Sequence, residues 1–393
     1  MLGIPQLARF TFPYQDGDKR HPTLIIKAHS LLLKYIAQGV LLEVSFFTTS
    51  DGHPAFALYI DDEPQKGVFL WSLLNHGDEV AAIRHISQCG ECSIYLFNEA
   101  CANCAWTSAS IEIDASILAM LDAMPMSKAT PAVYADEIAK ILDQLRDGTV
   151  RGVVRSIVLP KAKWKPLKSS FILNGALHTN LNLLADNEGT HQEQLAHTLL
   201  GDLSPQGAYV NPQLHEPSGK KEFTDVLLSH EFGTVLLESK SLSIFEQRTN
   251  LPDRSRLSRN IEKSAKRGVS QLLIASRKLR EYVPIFDQNG SALELERAQP
   301  PHAIILVPDL SLLTPKNDDW LRCIVDFMKK TKGFLHLLDT VQLFRVMQAA
   351  QMIATNSNTT TPMMAFDFYL IERAKTVIKR GSIDVDMILR LQK

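Results

Sequence analysis

The sequence predicts an α/β protein built from two units. The chain of 393 residues is 45% hydrophobic and 22% charged, the balance of an ordinary globular protein with room for more than one core. Short apolar or alternating runs of strand length are interleaved with stretches whose apolar residues recur at helical spacing, so strands and helices are mixed along the chain. The Lys-rich segment Pro160-Lys161-Ala162-Lys163-Trp164-Lys165-Pro166 lies between two such mixtures and reads as a linker.

In the first unit, residues 24–37 read as a helix. Residues 40–47, 54–60, 67–71, 93–97 and 105–113 alternate or run apolar like strands. Residues 135–145 read as a helix with Asp136 and Glu137 near its start, and 153–159 as a further strand. The expected organisation is an N-terminal α/β domain over 1–165, a second α/β domain over 166–355 and a helical tail over 356–393. The first domain is expected to recognise a substrate or a protein partner, or to form a homo-oligomer.

The start of the chain, Met1-Leu2-Gly3-Ile4-Pro5, lacks the basic opening and apolar core of a secretory signal. The longest apolar region, 31–47, is broken by Lys34, Gln38 and Glu43, too soon for a bilayer span. A cytoplasmic protein with no membrane partner is expected. With 42 basic against 43 acidic residues, the whole chain is near neutral.

Two chemistries can be weighed in the first unit. Cys89, Cys92, Cys101 and Cys104 form two C-x-x-C pairs, a ligand set that could hold structural Zn²⁺. Only eight residues separate the pairs, against about fifteen to twenty in common zinc modules, and residues 93–97 between them read as a strand. Buried thiols are the preferred alternative. Phosphate-binding loops, dinucleotide fingerprints, serine-hydrolase elbows and paired-histidine zinc motifs are absent from the sequence.

The second unit is organised around Glu222 to Lys240. An apolar run after Asp225, a polar break closed by Gly233, and a second apolar run predict a β-hairpin. Its two strands would set Asp225 beside Glu238, with Lys240 on the face of Glu238 because side chains two apart on a strand point the same way. Glu238 and Lys240 are the single acid-x-lysine triplet in the chain. They follow Val235-Leu236-Leu237, the mark of a central buried strand where unpaired charge is costly. Two close carboxylates repel unless a cation lies between them, and oxygen ligands suit Mg²⁺ or Mn²⁺. Such a site suits phosphodiester hydrolysis.

Asp225, the hairpin and Glu238-Ser239-Lys240 resemble the core signature of the PD-(D/E)XK nuclease superfamily, with a flavour of its NERD-like branch. Thr224 departs from the pattern, standing where the family name has Pro. The resemblance covers about residues 186–350. It implies a restriction-endonuclease-like mixed sheet flanked by helices, with Asp225 and Glu238 ligating the metal and Lys240 assisting the attacking water. The family commonly places a further acid on the helix before the sheet. Glu188 or Glu193 could supply it, and Glu193 is preferred because it lies within the apolar periodicity of that helix. Gln271 falls where related nucleases carry a Gln on the helix after the catalytic strand. Ala275 replaces the Tyr that sometimes follows. By the same analogy such a protein would fit restriction, repair or anti-phage defence.

Downstream, residues 259–281 read as one long helix with an apolar stripe flanked by Lys263, Arg267, Gln271 and Lys278. Between Lys240 and Glu281 stand eleven basic residues against four acids, including Lys266. Lys263, Lys266, Arg267 and Lys278 are therefore candidate phosphate contacts for DNA, with RNA also open. Residues 302–307 and 333–338 read as further strands, and 320–330, 340–353, 363–379 and 385–391 as helices. The function expected is a Mg²⁺-dependent deoxyribonuclease. The alternatives are a nuclease-like binding module without activity and a zinc-organised scaffold.

Overall fold

The computed structural model describes residues 6–12, 21–63, 66–123, 130–167, 169–173, 177–181, 187–203, 205–217, 219–242, 253–357, 359–385 and 387. The chain is mixed α/β and divides into two compact units, the first spanning residues 1–169 and the second most of the remainder.

The first unit is a mixed sheet with helices on both sides. Its elements are β1 (Leu7–Thr11), β2 (Thr23–Lys27), α1 (Ser30–Ala37), β3 (Leu42–Thr48), β4 (Pro54–Ile60), β5 (Val68–Leu73), α2 (Gly77–Cys89), β6 (Glu91–Phe97), β7 (Asn103–Ile111), α3 (Ala115–Asp122), α4 (Pro131–Arg146), β8 (Val154–Pro160) and β9 (Lys165–Pro166). The strand order is β1-β2-β6-β7-β8-β3-β4-β5, with β9 also paired to β7.

Strand alternation divides the apolar residues between two faces. Phe46, Phe56 and Leu58 join the main core with Leu33 of α1, Ile83 of α2 and Ile117 of α3. Their sequence neighbours Phe47, Ala55 and Ala57 face the other way and pack against Ile138 and Leu145 of α4.

Three expectations change here. Residues 24–37 are a strand and then a helix. Leu24-Ile25-Ile26 is an aliphatic run with two β-branched residues that pairs with β6, and the helix starts only at Ser30. Helices α2 and α3 had no counterpart among the predicted elements. The Lys-rich segment does not run free as a linker, because Lys165 and Pro166 pair with Trp106 and Ala105 and Trp164 packs against the main core.

The second unit contains β10 (Ser169–Leu173), β11 (Leu177–Leu181), α5 (Glu188–Gly201), β12 (Gly207–Val210), β13 (Gln213–Glu216), β14 (Gly219–Glu222), β15 (Val226–His230), β16 (Gly233–Ser239), α6 (Arg254–Arg280), β17 (His302–Val307), α7 (Asn317–Thr331), β18 (Phe334–Asp339), α8 (Thr340–Thr355) and α9 (Pro362–Arg380). Its central sheet runs β12-β15-β16-β17-β18. The first three strands are antiparallel and the last three parallel. Parallel neighbours need a long crossover, which α6 supplies between β16 and β17 and α7 between β17 and β18.

The expected tail is part of this unit. Arg373 of α9 is buried and donates from Nη2 to the carbonyl of Leu337 in β18 at 3.0 Å and to Oε1 of Gln342 in α8 at 2.8 Å. Most of the short helix expected over 385–391 lies outside the described residues, and Val385 is not helical. Among the described residues no helix is long and apolar enough to cross a membrane.

Candidate active site

The hairpin β15–β16 turns through Glu231 and Phe232, with Gly233 at φ +144°, a conformation that other residues rarely adopt. Every residue of both strands is buried. Val226 lies opposite Leu237, so Asp225, one step before β15, comes beside Glu238. The backbone N–H of Ser239 donates to Asp225 Oδ2 at 2.6 Å and fixes that carboxylate. Thr224 donates from Oγ1 to the Leu237 carbonyl at 2.8 Å and ties the strand ends together.

Lys240 extends the ladder, its N–H donating to the Leu306 carbonyl at 2.8 Å. Its Nζ stands 2.6 Å from Glu238 Oε2 and 3.7 Å from Asp225 Oδ2. Glu238 is only 1% exposed, so its charge depends on this ammonium. The three residues named from the hairpin pattern do come together.

Two further acids join them. Glu193 of α5 lies within electrostatic reach of Asp225 and Lys240. Burial and then Asp225 push its carboxyl above the usual range, and Lys240 opposes the rise. Glu222 closes the group at the end of β14. Its side chain is largely exposed, yet its carboxyl is pushed up to about 7, by burial of the carboxyl end first and then by Asp225, to which it hydrogen-bonds. Glu238 is likewise pushed up to about 7 by burial and by Asp225, with Lys240 pulling the other way. One ammonium faces four carboxyl groups.

Glu222 escaped the sequence reading because no strand or helix period links it to Asp225. It arrives through the separate β13–β14 ribbon, in which Glu222 pairs with Gln213.

The donor chemistry fits a magnesium-sized ion, being oxygen-only and more negative than one lysine can balance. The expected ligands Asp225, Glu238 and Glu193 are nonetheless not spaced as a ready cage. Among the described residues no group of three or more His, Cys, Asp or Glu is arranged to hold a metal ion. The Lys240 ammonium takes the place between Asp225 and Glu238.

Helix α6 covers the site through Gly268, while Gln271, one turn on, is exposed and makes no hydrogen bond to the acids. Its basic residues divide. Lys263 and Arg267 are exposed on one flank and make no ion pair with a described residue. Lys266, about 60° round the helix from Lys263, donates to Glu262 at 2.6 Å, an acid that also meets Lys316 at 2.7 Å. Lys278 is bound to Glu216 at 2.5 Å. Two of the four candidate phosphate contacts are therefore already engaged by local acids.

The four cysteines are not brought together. Cys92 of β6 lies opposite Ala109, five residues along β7 from Cys104, a separation of about 17 Å at strand rise. Both are buried in the main core, and burial pushes each thiol up to about 12. The geometry corrects the zinc-scaffold alternative and the Cys89/Cys92/Cys101/Cys104 ligand set.

Compared with known proteins, the chain matches no family model, no curated protein and no solved structure.

Proposed function

We propose that the second unit is a metal-dependent nuclease of PD-(D/E)XK type that hydrolyses phosphodiester bonds in DNA. The observation that carries this is the meeting of Asp225, Glu238 and Lys240 at the end of a buried strand pair. The mixed sheet with crossover helix α6 after the catalytic strand supports the restriction-endonuclease-like architecture.

Asp225 and Glu238, with Glu193 beside them, would hold Mg²⁺ or Mn²⁺. When bound, such an ion lowers the pKa of a water ligand and neutralises a phosphate oxygen. The chain's own part is to hold that water in line. In hydrolysis the water oxygen bonds to phosphorus, one P–O bond to sugar breaks, and the leaving oxygen takes up a proton. Lys240 Nζ, 2.6 Å from Glu238 Oε2, would donate a hydrogen bond to the attacking water or to the phosphate charge. Exposed Lys263 and Arg267 would bind the backbone of the same strand.

Asp225→Asn and Lys240→Ala test this on plasmid and oligonucleotide DNA with Mg²⁺ or Mn²⁺. Each should lower cleavage by about a hundredfold or more, assayed below the variant's own melting temperature because Lys240→Ala strips buried Glu238 of its partner. Cleavage at the parent rate by either variant would refute the site.

A second function is favoured by the Lys240 ion pairs and by the lack of a ready ligand cage. In it, the site is closed and the unit binds nucleic acid or protein without cutting. Titration with Mg²⁺, Mn²⁺ or Ca²⁺ separates the two, because a closed site shows no metal-linked rise in melting temperature.

A further inference from the structure

The outer face of the first unit's sheet is covered unevenly. Helix α4 packs over β3, β4 and β5. On the β2–β6–β7 half, side chains turned away from the main core form a row across the strands. Ile25 lies beside Tyr95, Tyr95 beside Trp106, and Trp106 beside Lys165. The Tyr95 and Trp106 rings are half-buried and nearly parallel, with centroids 6.0 Å apart and an interplanar angle of 17°. Lys165 holds its Nζ 4.3 Å from the Trp106 ring centroid. One step along, Ser93 faces Ser108 and adds hydroxyls to the same face.

The segment that supplies Lys165 is pinned to this face. Lys161 N donates to Ser108 O at 2.9 Å, Thr107 Oγ1 to Ala162 O at 2.7 Å, and Leu167 N to Cys104 O at 2.9 Å. Between its two prolines it carries Lys161, Lys163 and Lys165 and no acid. Glu91 engages Lys161 at 2.5 Å, which leaves the rim of the aromatic row positive.

We propose that this row is a binding site for single-stranded nucleic acid. Flat aromatic faces accept any base, hydroxyls hydrogen-bond base edges or sugar, and a lysine rim neutralises phosphate. A purely apolar protein partner would leave the lysines and serines unpaired on burial. The ammonium over Trp106 marks the ring face a base would take. On binding, a base stacks there and the flexible Lys165 swings to a phosphate. The site lies in the first unit and does not depend on cleavage by the second.

The test uses the full-length protein in EDTA, which prevents cutting, with fluorescence anisotropy of labelled single-stranded DNA, single-stranded RNA and duplex DNA. Parent protein should bind single strands, and the part of that binding that depends on Trp106 should be absent on duplex. Trp106→Ala should weaken that binding about tenfold or more, measured at a temperature where circular dichroism shows the variant folded. Trp106→Phe keeps a ring and should stay within about threefold, and Lys165→Gln should lower the salt slope by about 0.7. Comparison of the two single-stranded probes says which sugar is preferred. An equal Trp106→Ala loss on duplex and on single strands, Trp106→Ala within about twofold of parent on single strands, or equal losses in the Ala and Phe variants would each overturn the site. So would Trp106→Ala altering self-association in sedimentation while nucleic-acid affinity stays put, since the face would then contact protein. No arm of this binding test requires cleavage, so failure of the nuclease assignment is read separately.

Discussion

A β-carbon placed on Gly268 would stand 2.8 Å from Cε of Lys240. The same carbon would lie 2.9 Å from Cδ1 of Ile305, and both contacts are to the ends of flexible side chains. In the middle of a 27-residue helix, glycine costs roughly 1 kcal/mol relative to alanine. What it permits is the close approach of α6 to the lysine. Gly268→Ala should therefore fold with equal or higher melting temperature while DNA cleavage falls by about tenfold, through displacement of the Lys240 stem. Parent-like turnover in a stopped cleavage assay would show that α6 does not position the lysine.

The acids set a pH dependence of definite sign. Glu222 and Glu238 rise from an ordinary 4.5 to about 7, so the folded protein holds their protons when the unfolded chain has released them. Folding then takes up protons between those values, and stability falls as pH rises from about 4.5 to about 7. In His230→Gln, which removes one of the opposing histidines described next, the melting temperature without metal should decline across this window, and Mg²⁺ should restore it more at the upper end than at the lower. Melting curves followed by circular dichroism, with and without Mg²⁺, measure both slopes. A flat metal-free profile in a variant lacking the histidine effect described next would remove the basis for crowded carboxylates.

A histidine cluster at the other end of the sheet acts in the opposite sense. His302 Nε2 lies 3.1 Å from Asp367 Oδ1, and its Nδ1 is 3.0 Å from His336 Nε2. Burial holds His336 well below its ordinary value and pushes His230 down to about 4. A base depressed on folding takes up protons in the unfolded chain first, so stability is lost as pH falls from about 6.5 towards 4. Glu238→Gln should leave this limb exposed, giving stability that rises with pH over that range, and His230→Gln should flatten it. Asp367→Ala should cost about 1–3 kcal/mol in urea unfolding by leaving a buried imidazole N–H without its acceptor.

The basic helix should divide as its ion pairs do. Lys263→Ala and Arg267→Ala remove cations without a local acid, so each should lower the salt slope of duplex-DNA binding by about 0.9. Lys266→Ala and Lys278→Ala should change it less, because Glu262 and Glu216 already hold those ammonium groups. Anisotropy titrations across ionic strength measure the slopes. Equal effects at all four positions would mean that the intramolecular pairs open freely on binding.

Asp225, Glu238 and Lys240 were legible in the sequence because they sit on one hairpin. A period of two and a short turn settle which side chains share a face, and both are local properties of the chain. The acid-x-lysine triplet after an apolar run was enough to mark the place. The limits of β17 were legible for the same reason, since five apolar residues after His302 end at Pro308. Splitting of the 24–37 segment was not, because apolar spacing over that length satisfies helix and strand alike until β6 pairs with Leu24-Ile25-Ile26.

Local pattern alone settled the mixture of strands and helices, the hairpin and the three residues at its end. Tertiary structure alone decided that Glu222 joins them from another ribbon, that Gly268 lets α6 close on Lys240, that Glu216 claims Lys278, and that Cys92 and Cys104 lie apart. Each of these depends on register or packing between segments remote along the chain, where contact is set by how faces fit and not by spacing in the sequence.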